Sequence, residues 1–169
     1  VQDPVEDVLL YLKMYKEIRG TYPKVLREDF CGTFAFSCAW VSRNRKNSAL
    51  ALDIDAKTVE FGKQFNRKKL TTDQKKRLII LRQNVMTVTH PKADFAMVGN
   101  FSFYFLKRRS DVLMYFKNVL KSLKSRGLLF LEIAGGPDFL KKSKEQRIVN
   151  DSKLGRFTYI WDQQSYDPI

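Results

Sequence analysis

Lys24 to Asp55 is KVLREDFCGTFAFSCAWVSRNRKNSALALDID, and its order is strand, glycine turn, helix, loop and second strand. Val25 and Leu26 form the apolar part of the first strand, and Cys31-Gly32-Thr33 supplies the turn. Gly32 lacks a Cβ, so it can adopt a left-handed conformation and let the backbone come close to a ligand. A helix from about Phe34 then points its first amides toward the crevice at the strand ends. The second strand, Ala49-Leu50-Ala51-Leu52, is a continuous apolar run, as expected where both faces of a parallel sheet are covered. It closes on Asp53-Ile54-Asp55, where a carboxylate can accept two charge-assisted hydrogen bonds from a ribose diol. Alternation puts Asp53 and Asp55 on the same side, so the residues alone leave both open for that role.

These residues resemble the motif I region of class I S-adenosylmethionine-dependent methyltransferases. REDFCGT is similar to a bacterial-type subgroup that carries this wording in place of D-x-G-x-G-x-G. Aligned on Cys31-Gly32-Thr33, Glu28 falls on the motif acid, Phe30 where the family often has its first glycine, and Phe34 where it often has its third. Phe30 is itself typical of the subgroup. The resemblance implies an α/β fold with a Rossmann-like, doubly wound, mostly parallel sheet, S-adenosyl-L-methionine as cofactor, and methyl transfer to an acceptor it does not identify. It selects Asp53 for the ribose. It places further cofactor contacts at Glu28, Asp29, Phe30, Cys31, Gly32, Thr33, Ile54, Asn84, Val85, Asn100 and Phe101, and puts Ser102 and Tyr104 toward the substrate. Asn84 stands where the family often has an acid for the adenine amine, and an amide oxygen can accept the same hydrogen bond. The resemblance names no catalytic residue and no metal. The enzymatic reading fails if Phe30 or Phe34 plugs the crevice.

Before this stretch, apolar residues at helical spacing from Val5 to Ile18 predict a helix capped by Asp3, opened by Pro4 and stopped at Gly20. It is expected on the sheet or over the cofactor, because the subgroup has SVQDP-like wording there. After it, Ala56 to Phe65 predicts a second crossover helix, Leu78 to Leu81 a third strand, and Ala93 to Gly99 a fourth. Asp111 to Leu123 is an amphipathic helix capped by Ser110 and ended by Ser125-Arg126-Gly127, before a fifth strand from Leu128 to Ile133. Phe139 to Asp151 is polar and lysine-rich and is expected to be a lid. Phe157 to Asp162 is strand-like, within WDQxSxDP-like wording that begins a substrate-side insertion in the subgroup. The organisation is therefore one domain over 1–169, with an N-terminal helix over 1–20, a core over 24–134 and a lid and insertion over 135–169. Family members continue to two further strands, which are expected to be missing here.

At 169 residues the chain can bury about two thirds of its unfolded surface, and no apolar run approaches the roughly 20 residues that span a bilayer. The first residues, VQDPVEDV, have neither the basic nor the apolar region of a secretory signal, so a soluble, cytoplasmic protein without membrane association is expected. Cys31 and Cys38 match no zinc spacing and read as reduced packing cysteines. His90, the single histidine, lies before Pro91 in a loop and reads as solvated.

The net charge of +13 concentrates in Lys63 to Arg82 and permits an anionic partner, RNA or an acidic protein. The same run also fits a solvated helix face, and it lacks aromatic interleaving of the sort used for stacking bases. The acceptor can be a small molecule, RNA or a protein. Two alternatives share these features. A nicotinamide-dependent reductase has the same strand-turn-helix-strand-acid layout but needs G-x-G-x-x-G, which is absent. A catalytically silent basic module would bind RNA or a protein through its charge alone.

Overall fold

The computed structural model describes residues 3–151 and 155–165. The apolar runs become β1 (Val25–Asp29), β2 (Ser48–Asp53), β3 (Leu78–Arg82), β4 (Ala93–Val98) and β5 (Leu123–Leu131), all parallel, in the spatial order β3-β2-β1-β4-β5. The order reverses direction between β1 and β4, so a crevice opens there beyond the carboxyl ends of the strands. Successive β2 residues face opposite ways. Ala49 and Ala51 join a core with Val8, Trp40 and Phe95, while Leu50 and Leu52 join another with Val98, Tyr115 and Val119. Helices α1 (Pro4–Arg19), α2 (Ala35–Arg43) and α3 (Ala56–Phe65) contribute to the first core and α5 (Arg109–Ser122) to the second; the short α4 is Thr72–Lys76.

The local signals at α1 act as expected. The Asp3 carboxylate accepts from Val5 N at 2.9 Å, and Gly20 ends the helix at φ 75°. Asp55 caps α3 in the same way, accepting from Lys57 N at 2.8 Å and Thr58 N at 2.9 Å. No described helix is long and apolar enough to cross a membrane.

Three expectations are corrected. Helix α5 starts at Arg109 with Arg108 as its N-cap and no side-chain capping bond; Ser110 lies inside the first turn, and its hydroxyl meets Asp111 instead. The fifth strand begins at Leu123, because Leu123 pairs with Ala93 before the register shifts to Leu128 against Phe95. Ser125-Arg126-Gly127 is thus an irregularity within β5, and a Cβ on Gly127 would come within 2.9 Å of that of Leu123. The segment expected as a lid is mostly a strand. The chain has two compact units, dividing after Glu132. In the second, β6 (Ser143–Asp151) pairs antiparallel with β7 (Gly155–Gln163). Gln163 Nε2 donates to Phe139 O at 2.6 Å and Lys141 O at 2.8 Å, tying the turn at Pro137–Leu140 to the hairpin. The end of the WDQxSxDP-like wording, Asp167-Pro168, lies outside the described residues, as does Val1-Gln2 of the SVQDP-like wording.

Phe34 is fully buried in the first core, and its ring occupies a notch on α3. A Cβ built on Gly62 would lie 2.5 Å from Phe34 Cε1 and 2.6 Å from Thr33 O. Gly62→Ala should therefore lower unfolding free energy by about 1 to 3 kcal/mol, the usual cost of overpacking. Urea titration would measure this, and an unchanged midpoint would show that α3 moves aside freely.

Candidate functional site

The loop after β1 turns through three left-handed residues, Phe30 (φ 54°), Gly32 (φ 54°) and Phe34 (φ 48°). The two aromatic residues that stand in for glycines therefore keep a glycine backbone, at about 1 to 2 kcal/mol each. Asn100 (φ 54°) and Phe101 (φ 55°) after β4 are left-handed as well. Strain of this kind, on the two loops that flank the reversal in strand order, is what functional sites concentrate.

Two acids hold the first loop. Phe34 is the N-cap of α2 but caps nothing with its side chain. Glu28 supplies the cap across the loop, accepting from Ser37 N at 3.0 Å and from the Ser37 hydroxyl. Asp53 Oδ2 accepts from Gly32 N at 2.7 Å and Oδ1 from Asp55 N at 2.9 Å. Because Asp55 is engaged as the α3 cap, Asp53 is the carboxylate at the loop, and each of its oxygens retains a second lone pair.

The crevice has two lobes. One, of about 610 Å³, is lined from β1, its loop and β4 by Glu28, Asp29, Phe30, Cys31, Gly32, Thr33, Gly99 and Asn100. The other, of about 380 Å³, takes Phe30, Asp53, Ile54, Asn84 and Val85. Phe30 borders both and stacks at 6.3 Å on Phe105, so it forms a wall between the lobes and leaves each of them open. Asn84 Oδ1 accepts from Met86 N at 2.9 Å, which fixes the side chain in the second lobe. Phe101, Ser102 and Tyr104 line neither lobe; Ser102 and Tyr104 belong to the turn Ser102–Phe105 that brings Phe105 in. His90 is exposed and also lies outside the lining.

Several lining residues escaped the sequence reading. Asp3, Asp7 and Tyr11, spaced i, i+4, i+8 on one face of α1, close the first lobe together with Glu132 just past β5. Their spacing is legible in the sequence, but nothing within α1 ties that face to the crevice. Glu132 Oε2 accepts from Asn100 N at 2.6 Å and so holds the left-handed loop after β4. Among the described residues, neither lobe is lined by a lysine, arginine or histidine. In a chain of net charge +13 the crevice is an acidic enclave.

Burial sets the protonation of this enclave. It pushes Glu28 up to about 7 against the lowering effect of the two Ser37 bonds. Asp7 is raised by burial and then by Glu132 and Asp3, and Tyr11 by burial and the same neighbours Glu132 and Asp7. Cys31 and Cys38 are free and buried; burial pushes the first thiol up strongly and the second up to about 12, which leaves both as inert packing groups. Asp29 is neutralised by Arg27, whose Nε donates to it at 2.8 Å, while Tyr115 OH donates to its other oxygen at 2.8 Å.

No protein-family model matches the chain, and no curated protein does. Solved structures do. The chain is similar to the glycopeptide N-methyltransferase MtfA complexed with sinefungin, at TM-score 0.65 and 11% identity over 96% of this chain and 67% of that one. It is similar to the sugar N-methyltransferase KedS8 from Streptoalloteichus sp ATCC 53650, at TM-score 0.68 and 13% identity over 98% and 75%. It is also similar to CalS10, an amino pentose methyltransferase from Micromonospora echinaspora solved with SAM bound, at TM-score 0.70 and 12% identity over 99% and 79%. At such identities the likeness establishes the fold, the Rossmann-like class I methyltransferase fold, of which this chain spans two thirds to four fifths.

The Glu28 carboxyl gives a test with a definite sign. Its ordinary value is 4.5 and its folded value about 7, so between those pH values the folded chain holds a proton that the unfolded chain has released. This group's contribution to stability therefore falls as pH rises from 4.5 to 7, by on the order of 3 kcal/mol, and is constant outside that window. Unfolding free energies measured across it should decline for the native chain relative to Glu28→Gln. Parallel curves for the two would place the Glu28 titration elsewhere.

Proposed function

We propose that the chain is an S-adenosylmethionine-dependent methyltransferase acting on an amine. The observation that carries this reading is the acid-lined crevice without a base, at the reversal in strand order of a class I methyltransferase fold. A dinucleotide pyrophosphate would meet the carboxylates of Asp53 and Glu132 with no base to offset them, which disfavours the nicotinamide alternative, whereas a sulfonium and an α-ammonium are cations that such a lining attracts. When bound, the cofactor supplies a methyl group on a good leaving group.

The residues present suit that guest. Asp53 would accept from the ribose diol with its remaining lone pairs, Asn84 and Val85 would border the adenine beside the rings of Phe30 and Phe105, and the Gly32 turn would admit the amino-acid tail next to Glu28. At the side of the first lobe closed by α1, Asp7, Tyr11 and Glu132 would border an acceptor. A carboxylate raised by burial and by neighbouring acids is a better proton acceptor than an ordinary one, which suits an amine that must shed a proton. Of the three similar proteins named above, two are N-methyltransferases and one is an amino pentose methyltransferase, which supports the choice of amine.

Titration calorimetry should detect binding of S-adenosylmethionine and S-adenosylhomocysteine. Asp53→Ala should weaken both by roughly tenfold or more, the loss expected for hydrogen bonds to a charged group. Absence of heat with either cofactor, or quenching of reduced nicotinamide fluorescence, would overturn the assignment. Transfer of labelled methyl to hydroxyl acceptors in preference to amines would overturn the acceptor class alone.

A further inference from the structure

The end of the sheet opposite the crevice has the reverse electrostatic character. Lys24 precedes β1 and Asn47 precedes β2, and both line a cavity of about 470 Å³ that adjoins another of about 510 Å³ beside α1. The two share Leu12, Tyr22 and Arg43. Five cations edge the combined groove, Lys13, Lys16, Lys24, Arg43 and Lys46, against one acid, Glu17. Among the described residues none of the five forms an ion pair.

The platform is held from behind. Arg77 Nη1 donates to Val41 O at 2.9 Å and Asn44 O at 3.2 Å, and Asn47 Nδ2 donates to Trp40 O at 3.0 Å, so the turn bearing Arg43 and Lys46 is fixed before any ligand arrives. Lys24 is fixed by its backbone amide on Asp94 Oδ2 at 2.8 Å. Between the cations Tyr22 is 60% exposed, with Lys16 Nζ 4.8 Å from its ring centre, and Leu12 and Pro23 extend the apolar floor.

We infer that this groove binds a single-stranded nucleic-acid segment, its phosphates on the five cations and a base on Tyr22. Cations on a held backbone around an exposed aromatic ring are what strand binding uses: the charges track the phosphates and the ring takes a base of any identity. A purely acidic polypeptide such as polyglutamate would meet the charges but leave the Tyr22 ring and its apolar floor uncovered. In the basic run Lys63 to Arg82 the exposed ring, Phe65, is already stacked on Phe61 at 4.3 Å, and Lys63 and Arg77 are paired with Glu60 and Asp73, whereas the cations around Tyr22 are unpaired among the described residues, which is why the groove and not the run is the site. The inference does not depend on methyl transfer, since the groove and the crevice lie at opposite ends of the strands.

The test is fluorescence anisotropy of labelled 12-residue oligouridylate and oligothymidylate with the native chain. Expected is binding at 50 mM salt that weakens by about a hundredfold at 200 mM, as for about five neutralised phosphates on a single strand. Lys13→Ala/Arg43→Ala/Lys46→Ala should lose at least tenfold in affinity. Tyr22→Ser should lose about fivefold or more without changing the salt slope, and Lys68→Ala/Lys76→Ala in the basic run should change it less than twofold. Tyr22→Trp reports the contact directly through quenching by a stacked base, whatever the other variants do. No binding at 50 mM salt, equal losses in the Lys68/Lys76 variant, an unquenched Trp, or displacement by polyglutamate as effective as by unlabelled oligonucleotide would each overturn the proposal.

Discussion

A fully buried guanidinium organises this molecule. Arg27, in the middle strand of the sheet, donates to Asp29 at 2.8 Å, to Val85 O at 2.6 Å, to Thr87 O at 2.9 Å and to Ser122 Oγ at 2.7 Å. A planar fork with five donors is the side chain that can satisfy so many fixed acceptors from one point. An unpaired charge at that depth would cost several kcal/mol, so the partners have to be where they are. The consequence reaches the crevice. Arg27 neutralises the acid on the floor of the first lobe, and through Val85 O it fixes the segment that carries Asn84 and Val85 into the second. Through Ser122, and through Tyr115 on Asp29, it also sets the position of α5. Both lobes share this one anchor.

Above that anchor the charges are partitioned along the strand direction. Helix α1 shows the partition within its own length: Asp7, with Asp3 as its cap, turns to the crevice, while Lys13 and Lys16 edge the groove at the other end. This also places an acid near the positive start of the helix and bases near its negative end, the arrangement the helix dipole favours. The excess of +13 therefore describes the outside of the protein and says little about its crevice. A small cation and a polyanion can be attracted to opposite ends of one small sheet because the fields are separated by the strands themselves.

Much of this was legible from residues. Ala49 to Leu52 could only be a covered strand, Gly32 could only be a turn, and Asp3-Pro4 with Gly20 bounded α1, because each signal is a local conformational preference. What escaped was non-local. Arg27 interrupts a strand that is read from Val25 and Leu26, and its burial makes sense only once Val85, Thr87 and Ser122 are known to converge on it. Ser110 looks like a cap, yet Arg108 takes the position because the helix starts two residues earlier. Ser143 to Asp151 has no apolar alternation, and its strand character comes from pairing with β7, as in Lys144 with Asp162 and Val149 with Phe157. Asp7 and Glu132 meet only because α1 lies across the end of β5, which no spacing within either element discloses.

The two phenylalanines in place of glycines resolve on the difference between backbone and side chain. What the loop offers a ligand is its sharp course, which is set by φ, left-handed at Phe30 and Phe34 as it is at Gly32, and is held by the Cys31, Gly32 and Phe34 amides on Leu52 O, Asp53 and Cys31 O. A side chain is compatible with that course if it has somewhere to go. Phe34 goes into the notch left by Gly62, so the glycine missing from the loop is in effect present on the facing helix, while Phe30 turns onto Phe105 and becomes a wall between the lobes. The strain is sustained by burial of the first ring, worth roughly 2 to 3 kcal/mol, and by the Glu28 cap and the Asp53 bond to Gly32 N on either side. Aromatic residues here close the loop against the core and leave the crevice in front of it open.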